Sequence, residues 1–77
     1  MSLTFSQGRI IVSSREIQIR FDAMPQTRLQ AQVDALKLLG GGVNLIIAHD
    51  MDCQWTLRLD NDEQLQQIAD ATGLAIE

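Results

Sequence analysis

The chain has 77 residues, of which 45% are apolar and 21% are charged, and its formal net charge is −4. This length provides one domain over residues 1–77, because a second hydrophobic core would need more chain. The apolar content argues against intrinsic disorder, and the negative charge argues against binding of free nucleic acid, which needs clustered cations.

The first third of the sequence predicts three strands joined by short turns. Leu3-Thr4-Phe5 alternates, and residues 9–13 contain three β-branched residues in a row. Residues 16–22 alternate strictly, with Ile17 and Ile19 on the apolar face. Such alternation is typical of an antiparallel strand with one buried face, so we expect an N-terminal β-meander.

Residues 26–39 fit two interpretations. Leucine, glutamine, alanine and basic residues dominate this segment, and these residue types favour a helix. Pro25 suits a helix start and Gly40 suits a helix end. The residues of an apolar stripe at helical spacing are Leu29, Val33, Leu36 and Leu39. The alternative is a strand, since apolar residues at positions 29, 31, 33 and 35 alternate with polar ones. We favour the helix and keep the strand as the alternative.

The second half of the chain predicts a central hairpin. Residues 43–49 and residues 54–60 are predicted strands, separated by a short acidic turn. In the second strand, Trp55, Leu57 and Leu59 alternate with polar residues. We therefore expect Trp55 to be buried in the core.

A C-terminal helix is predicted to follow this hairpin. Asp60 can cap it by accepting a backbone N–H bond, and Glu63 stands three residues further on, as in a capping box. Asp60 and Asp62 therefore have a structural explanation that does not require acid–base chemistry. Gly73 can end the helix in the left-handed conformation, and residues 74–76 can add a short edge strand.

Both interpretations of residues 26–39 give an α+β fold with an antiparallel sheet, an N-terminal β-meander, a central hairpin and a C-terminal helix. A helix over residues 26–39 gives the ferredoxin-like order β-α-β-β-α-β from residue 16 onward. A strand there gives a pleckstrin-homology-like meander with one helix. Both folds typically serve as binding scaffolds, although fold alone does not determine function.

One segment, residues 49–53, concentrates side chains that can bind metal. The candidate ligands are His49, Asp50, Asp52 and Cys53. The chain has no second histidine or cysteine, so one copy cannot build a closed zinc site, and we interpret the segment as a hairpin turn. A thiol–imidazole pair of Cys53 and His49 would lack an oxyanion donor. We therefore expect no metal and no cofactor, and we favour a protein that is not an enzyme.

The candidates for an anion-binding patch are Arg9, Arg15, Arg20 and Arg28, and a second combination pairs Arg20 with Arg58. Arg20 and Arg58 lie on the polar faces of their predicted strands. In a shared sheet they would present one surface for a carboxylate or a peptide, whereas the simpler interpretation is an ordinary solvated sheet face. The glycine triplet at residues 40–42 lacks the spacing of a phosphate-binding loop and fits a turn.

The charges divide unevenly along the chain. Residues 1–40 carry five cations and three acids, whereas residues 41–77 carry Arg58 alone against seven acids. The basic part of one copy could therefore meet the acidic part of another. Cys53 is the only cysteine, and no signal peptide or membrane-spanning apolar stretch is visible. We expect a reducing, cytoplasmic location and no membrane binding.

Residues 29–42, the strand Trp55-Thr56-Leu57-Arg58-Leu59-Asp60 and the helix start Glu63-Gln64-Leu65 resemble a small bacterial family without an assigned function. This resemblance covers most of the chain and implies no catalytic or binding residues. The sequence indicates a small, non-catalytic module that binds a protein partner or forms a homodimer. One alternative is a regulatory domain that binds a small anion, and a less favoured one is an enzyme that uses His49 and Cys53.

Overall fold

The computed structural model describes residues 1–51 and 54–77. The elements in this part of the chain are β1 (Ser2–Phe5), β2 (Gly8–Val12), β3 (Glu16–Phe21), β4 (Arg28–Gln32), β5 (Leu36–Leu39), β6 (Leu45–His49), β7 (Gln54–Arg58) and α1 (Asp62–Thr72). Strands β1 to β4 form a four-stranded antiparallel sheet in chain order, and β5 to β7 form a three-stranded one. The predicted α+β class, with its N-terminal meander, central hairpin and C-terminal helix, is confirmed.

The helix favoured over residues 26–39 is not formed, and the strand alternative is confirmed. The segment contains β4, a 3₁₀ turn at Val33–Ala35, and β5. Helix propensities of ordinary residues differ by at most about 0.7 kcal/mol each. Pairing with the preceding strand β3 places Ala31 beside Ile17 and buries it, and this burial outweighs the local preference. The ferredoxin-like order is therefore not formed, and the chain has two antiparallel sheets and one C-terminal helix.

The 3₁₀ turn explains why the alternation in this segment was ambiguous. In β4 the odd-numbered residues, such as Ala31, face the core, whereas in β5 the even-numbered Leu36 and Leu38 are buried. The turn between the strands changes the phase of the alternation. A single period therefore cannot describe residues 26–39, although two short strands of opposite phase can.

One hydrophobic core lies between the inner faces of the two sheets and the helix. Its largest fully buried side chains are Ile10, Ile17, Ile19, Leu38, Ile46, Leu65 and Ile68. Trp55 is half-buried and packs against this cluster from the edge strand β7. The prediction that Trp55 faces inward is therefore confirmed, but its burial is only partial because β7 has a neighbouring strand on one side only.

Gly8 allows β2 and β3 to approach each other closely. It pairs with Phe21 in the ladder and is buried. A Cβ at this position would lie 1.9 Å from the backbone carbonyl oxygen of Arg20. Because the obstacle is backbone rather than a flexible side chain, a larger residue would have to push the two strands apart.

The helix α1 begins one residue later than the predicted cap. Asn61, not Asp60, is the N-cap, and its side-chain oxygen accepts a 2.9 Å hydrogen bond from the backbone N–H of Gln64. The Oε1 atom of Gln64 accepts from the backbone N–H of Asp60 at 2.9 Å, so Gln64 takes the part that was predicted for Glu63. Gly73 ends the helix with a φ of 79°, as predicted.

The C-terminal residues add to the edge of the three-stranded sheet. Ile76 forms a single parallel bridge with Leu38. The backbone N–H of Glu77 donates to the Leu38 carbonyl at 2.8 Å, and Gly40 donates to Glu77 at 2.9 Å. A Cβ on Gly40 would lie 2.7 Å from the Ile76 side chain, so Gly40 permits close docking of this segment rather than ending a helix.

Candidate binding surfaces

The outer face of the three-stranded sheet carries aliphatic side chains where an exposed face usually carries polar ones. The two cross-strand rows on this face are Lys37–Ile47–Thr56 and Leu39–Leu45–Arg58. Leu39, Leu45 and Ile47 are half-buried, yet they belong neither to the core cluster nor to the side chains that pack against it. We call these three residues the aliphatic face. These side chains are only partly buried within a single chain, and packing against the core does not explain why they are aliphatic.

The outer face of the four-stranded sheet has a different character. Arg9 pairs directly with Arg20, and Arg20 pairs directly with Arg28, so three exposed arginines stand side by side on three adjacent strands. We call them the arginine row. The adjacent row on the same face contains Ile11, exposed, and Gln18, half-buried. This face therefore combines positive charge with groups that can form hydrogen bonds.

The structure separates the two arginines that the sequence suggested as a pair. Arg20 lies on β3 in the four-stranded sheet, and Arg58 lies on β7 in the three-stranded sheet. The shared sheet face on which that pairing depended is not formed. The neighbours of Arg20 are instead Arg9 and Arg28, two of the arginines that the sequence suggested for an anion-binding patch.

The candidate metal segment lies only partly within the described residues. His49 ends β6 opposite Gln54, and both His49 and Asp50 are exposed. Asp52 and Cys53 lie outside the described residues, so the interpretation of this segment as a hairpin turn without a thiol–imidazole pair stays a prediction. Across residues 1–51 and 54–77, no group of three or more His, Cys, Asp or Glu side chains could hold a metal ion.

The glycine triplet belongs to the connection between β5 and β6. Gly41 and Gly42 have φ angles of 70° and 91°, and Asn44 has a φ of 53°. Asn44 is buried, its backbone carbonyl accepts from Leu59, and its Oδ1 atom has no hydrogen-bond partner in the described part of the chain. Sequence reasoning missed this residue, although asparagine is the residue type other than glycine that most readily adopts the left-handed conformation.

Asp60 joins the first sheet to the start of the helix. Its carboxylate accepts hydrogen bonds from the backbone N–H of Ser6, at 2.7 Å, and from the Ser6 hydroxyl. The hydroxyl bond is the main cause that holds the pKa of Asp60 below its ordinary value of 3.8. A carboxylate with a lowered pKa stays ionised near neutral pH, so Asp60 is suited to a structural link rather than to general acid catalysis.

No helix among the described residues is long and apolar enough to cross a membrane. No curated protein matches the chain, and no solved structure matches it. A family model described as a protein of unknown function, DUF3389, matches residues 1–76. This agrees with the family without an assigned function that the sequence was found to resemble. Because the match covers nearly the whole chain, the protein belongs to the DUF3389 family.

Proposed function

We propose that this protein is a small, non-catalytic module that forms a homodimer through the outer face of its three-stranded sheet. The observation that carries the proposal is the aliphatic face, whose three large side chains are partly covered but do not contribute to the core. Apolar surface of this kind marks sites of protein association. In a dimer, the second copy would cover the part of these three side chains that one chain leaves exposed.

The central strand β6 supports this proposal. Its residues alternate between the core-facing Ile46 and Ala48, which are fully buried, and the outward-facing Leu45 and Ile47. A strand that is apolar on both faces is typical of a sheet that is covered on both sides. Val43, immediately before β6, adds an aliphatic side chain that is 44% exposed.

The charges at the rim of this face are compatible with two-fold symmetry. Lys37 and Arg58 occupy diagonally opposite corners of the two cross-strand rows. A two-fold axis that runs in the interface along the strands would set Lys37 against the partner's Thr56. An axis across the strands would set Lys37 against the partner's Leu39. In either case the cations do not face each other, and their aliphatic stems can lie along the apolar surface.

The size of the chain supports association as well. A domain of about 60 residues buries only roughly 60% of the surface that its unfolded chain exposes, so small domains often gain stability from a partner. We place this dimer in the reducing cytoplasm, where a chain with the single cysteine Cys53 needs no disulfide.

Sedimentation equilibrium over a concentration series tests the dimer. The wild-type chain should approach twice its monomer mass of 8.6 kDa. Ile47→Glu places an unpaired charge in the interface and should weaken dimerisation by at least about thirtyfold, which corresponds to ~2 kcal/mol. The matched control is Ile11→Glu, the same change at an exposed isoleucine on the outer face of the other sheet, which should leave the dimer intact.

Two outcomes would contradict the proposal. A wild-type chain that stays monomeric up to high micromolar concentration would remove the homodimer. A dimer that survives Ile47→Glu but is lost in Ile11→Glu would move the interface to the four-stranded sheet.

A further inference from the structure

Core packing does not require arginine at the three positions of the arginine row, because all three side chains are exposed. Arg9, Arg20 and Arg28 are exposed and directly opposite one another across two strand pairs. Neighbouring strands in a sheet lie about 4.7–4.9 Å apart. The backbones of Arg9 and Arg28, on either side of β3, are therefore about 10 Å apart. The row therefore places three guanidinium groups along one line across the sheet.

This arrangement is unfavourable for the isolated chain. Like charges that stand directly opposite each other in an antiparallel pair destabilise it. Within the described residues, no acidic side chain forms an ion pair with any of the three arginines. Asp22 lines the same depression as Arg9 and Arg20 without forming an ion pair with either. No ion pair among the described residues therefore offsets the repulsion within the row.

Shallow depressions flank the central arginine on both sides. One has a volume of about 320 Å³ and lies between Arg20, Pro25, Gln26 and Arg28. The other, of about 280 Å³, is lined by Thr4, Gly8, Arg9, Arg20 and Asp22. Both are partly open to solvent. Their shape suits a ligand that lies across the sheet.

Carboxylate is the anion that this geometry fits. The planar guanidinium group offers paired N–H donors that match a carboxylate in a two-point contact. Acidic side chains three or four residues apart on one helix face lie about 5–6 Å apart, close to the spacing of the arginines. Three acids on one helix face can therefore meet the three arginines together.

We propose that the arginine row binds an acidic helical segment of a partner protein, with one carboxylate on each of Arg9, Arg20 and Arg28. This surface lies on the sheet opposite to the proposed dimer interface, so a dimer would present two such rows. The partner's charge relieves the repulsion that the isolated chain retains.

Nucleic acid is a poorer occupant of this surface. The chain carries a formal net charge of −4, and its C-terminal half is strongly acidic, so a polyanion is repelled at long range. Stable binding to a phosphate backbone draws on an extended set of cations, whereas this face offers one row of three.

The test uses fluorescence anisotropy with a labelled synthetic helix that carries three glutamates at positions i, i+4 and i+7 on a neutral background. A matched peptide has the same composition, with its glutamates on different faces. The wild-type chain should bind the first peptide more tightly. Arg20→Gln should weaken that binding about threefold to fivefold, the effect of one exposed ion pair. Arg15→Gln, at an exposed arginine outside the row, should leave it unchanged.

A second measurement separates a binding role from a structural one. Because Arg20 has a like charge on each side, Arg20→Gln should raise the urea midpoint while it weakens peptide binding. Arg15→Gln should change neither. A lower urea midpoint for Arg20→Gln would show that the row serves the fold, and the proposal would fail.

Three further results would also overturn the proposal. The first is equal affinity for the two peptides, and the second is tighter binding of duplex DNA than of the patterned peptide. The third is displacement of the peptide by low millimolar inorganic phosphate, which would identify a small anion as the ligand of the row.

Discussion

The two sheets of this protein are alike on the inside and different on the outside. Their inner faces present the same aliphatic chemistry to one core, with Ile19 and Ile46 both fully buried. Their outer faces differ, since one carries the arginine row and the other carries the aliphatic face. Core packing accounts for the inner faces only. The two outer faces are therefore the candidate binding surfaces, and each implies a partner of different chemistry.

The largest expected effects test whether the inner faces are equivalent. Ile19→Ala in the four-stranded sheet and Ile46→Ala in the three-stranded sheet each remove a side chain with 0% exposure. Each should lower the free energy of unfolding by about 2–5 kcal/mol, measured by urea denaturation. The milder changes Ile19→Val and Ile46→Val should cost about 0.5–1.5 kcal/mol each. A much smaller loss at Ile46 would show that the three-stranded sheet packs less firmly.

A smaller effect is expected at a contact that joins the two sheets. Trp55 is half-buried, and its Nε1 atom donates to the Gln30 carbonyl in the other sheet at 3.5 Å. Trp55→Ala should therefore cost less than the roughly 3–5 kcal/mol of a fully buried aromatic residue, as measured by circular dichroism in urea. Trp55→Phe keeps an aromatic ring at this position but loses part of the packing and a long hydrogen bond, so it should cost less than Trp55→Ala.

A change in unfolding free energy for Trp55→Ala that is much larger or much smaller than expected would revise the comparison of the two sheets at this position. A loss of the full size for Trp55→Ala would mean that the edge of the three-stranded sheet is as well packed as its centre. A neutral result would make Trp55 part of an exposed binding surface.

The smallest expected effect concerns the other link, between Asp60 and Ser6. Because hydrogen bonds from Ser6 lower the pKa of Asp60 in the folded chain, this link stabilises the fold above the ordinary pKa of 3.8. The contribution disappears as the pH falls through the lowered folded pKa. Asp60→Asn and Ser6→Ala should both remove this part of the acid dependence, measured as urea midpoints from about pH 5 to about pH 2.

The control for this prediction is Asp70→Asn, at an exposed acid whose side chain accepts from Gln66 within the helix. This change should leave the acid dependence due to Asp60 in place. If Asp60→Asn had the same acid dependence as the wild-type chain, the link to Ser6 would not contribute to stability.

Local patterns predicted the elements that a single short-range signal describes. The alternation of β3, the β6–β7 hairpin and the left-handed Gly73 at the end of α1 were all anticipated from such signals. Residues 26–39 were not, because the 3₁₀ turn at Val33–Ala35 changes the phase of the alternation between β4 and β5, which lie in different sheets. The cap of α1 was displaced by one residue, since Ser6, which is far from the helix in sequence, engages Asp60.

For the candidate surfaces too, part could be predicted from the sequence and part required the strand register. Arg9, Arg20 and Arg28 were suggested from the sequence as parts of one patch, but their direct pairing required the register of three strands. The other suggested partner of Arg20, Arg58, belongs to the other sheet because the chain passes from the first sheet to the second at the 3₁₀ turn. The aliphatic face did leave a signal in the sequence, namely the consecutive apolar residues 45–48, which are apolar on both faces of a strand.

The amino-acid sequence alone determined the α+β class, the N-terminal meander, the hairpin and the C-terminal helix, because alternation and helix-end residues act over a few positions. The tertiary structure decided the division into two sheets, the strands at residues 28–39 and the composition of both outer faces. These depend on which strands pair and in which register, and burial at such contacts outweighs the local preferences of individual residues.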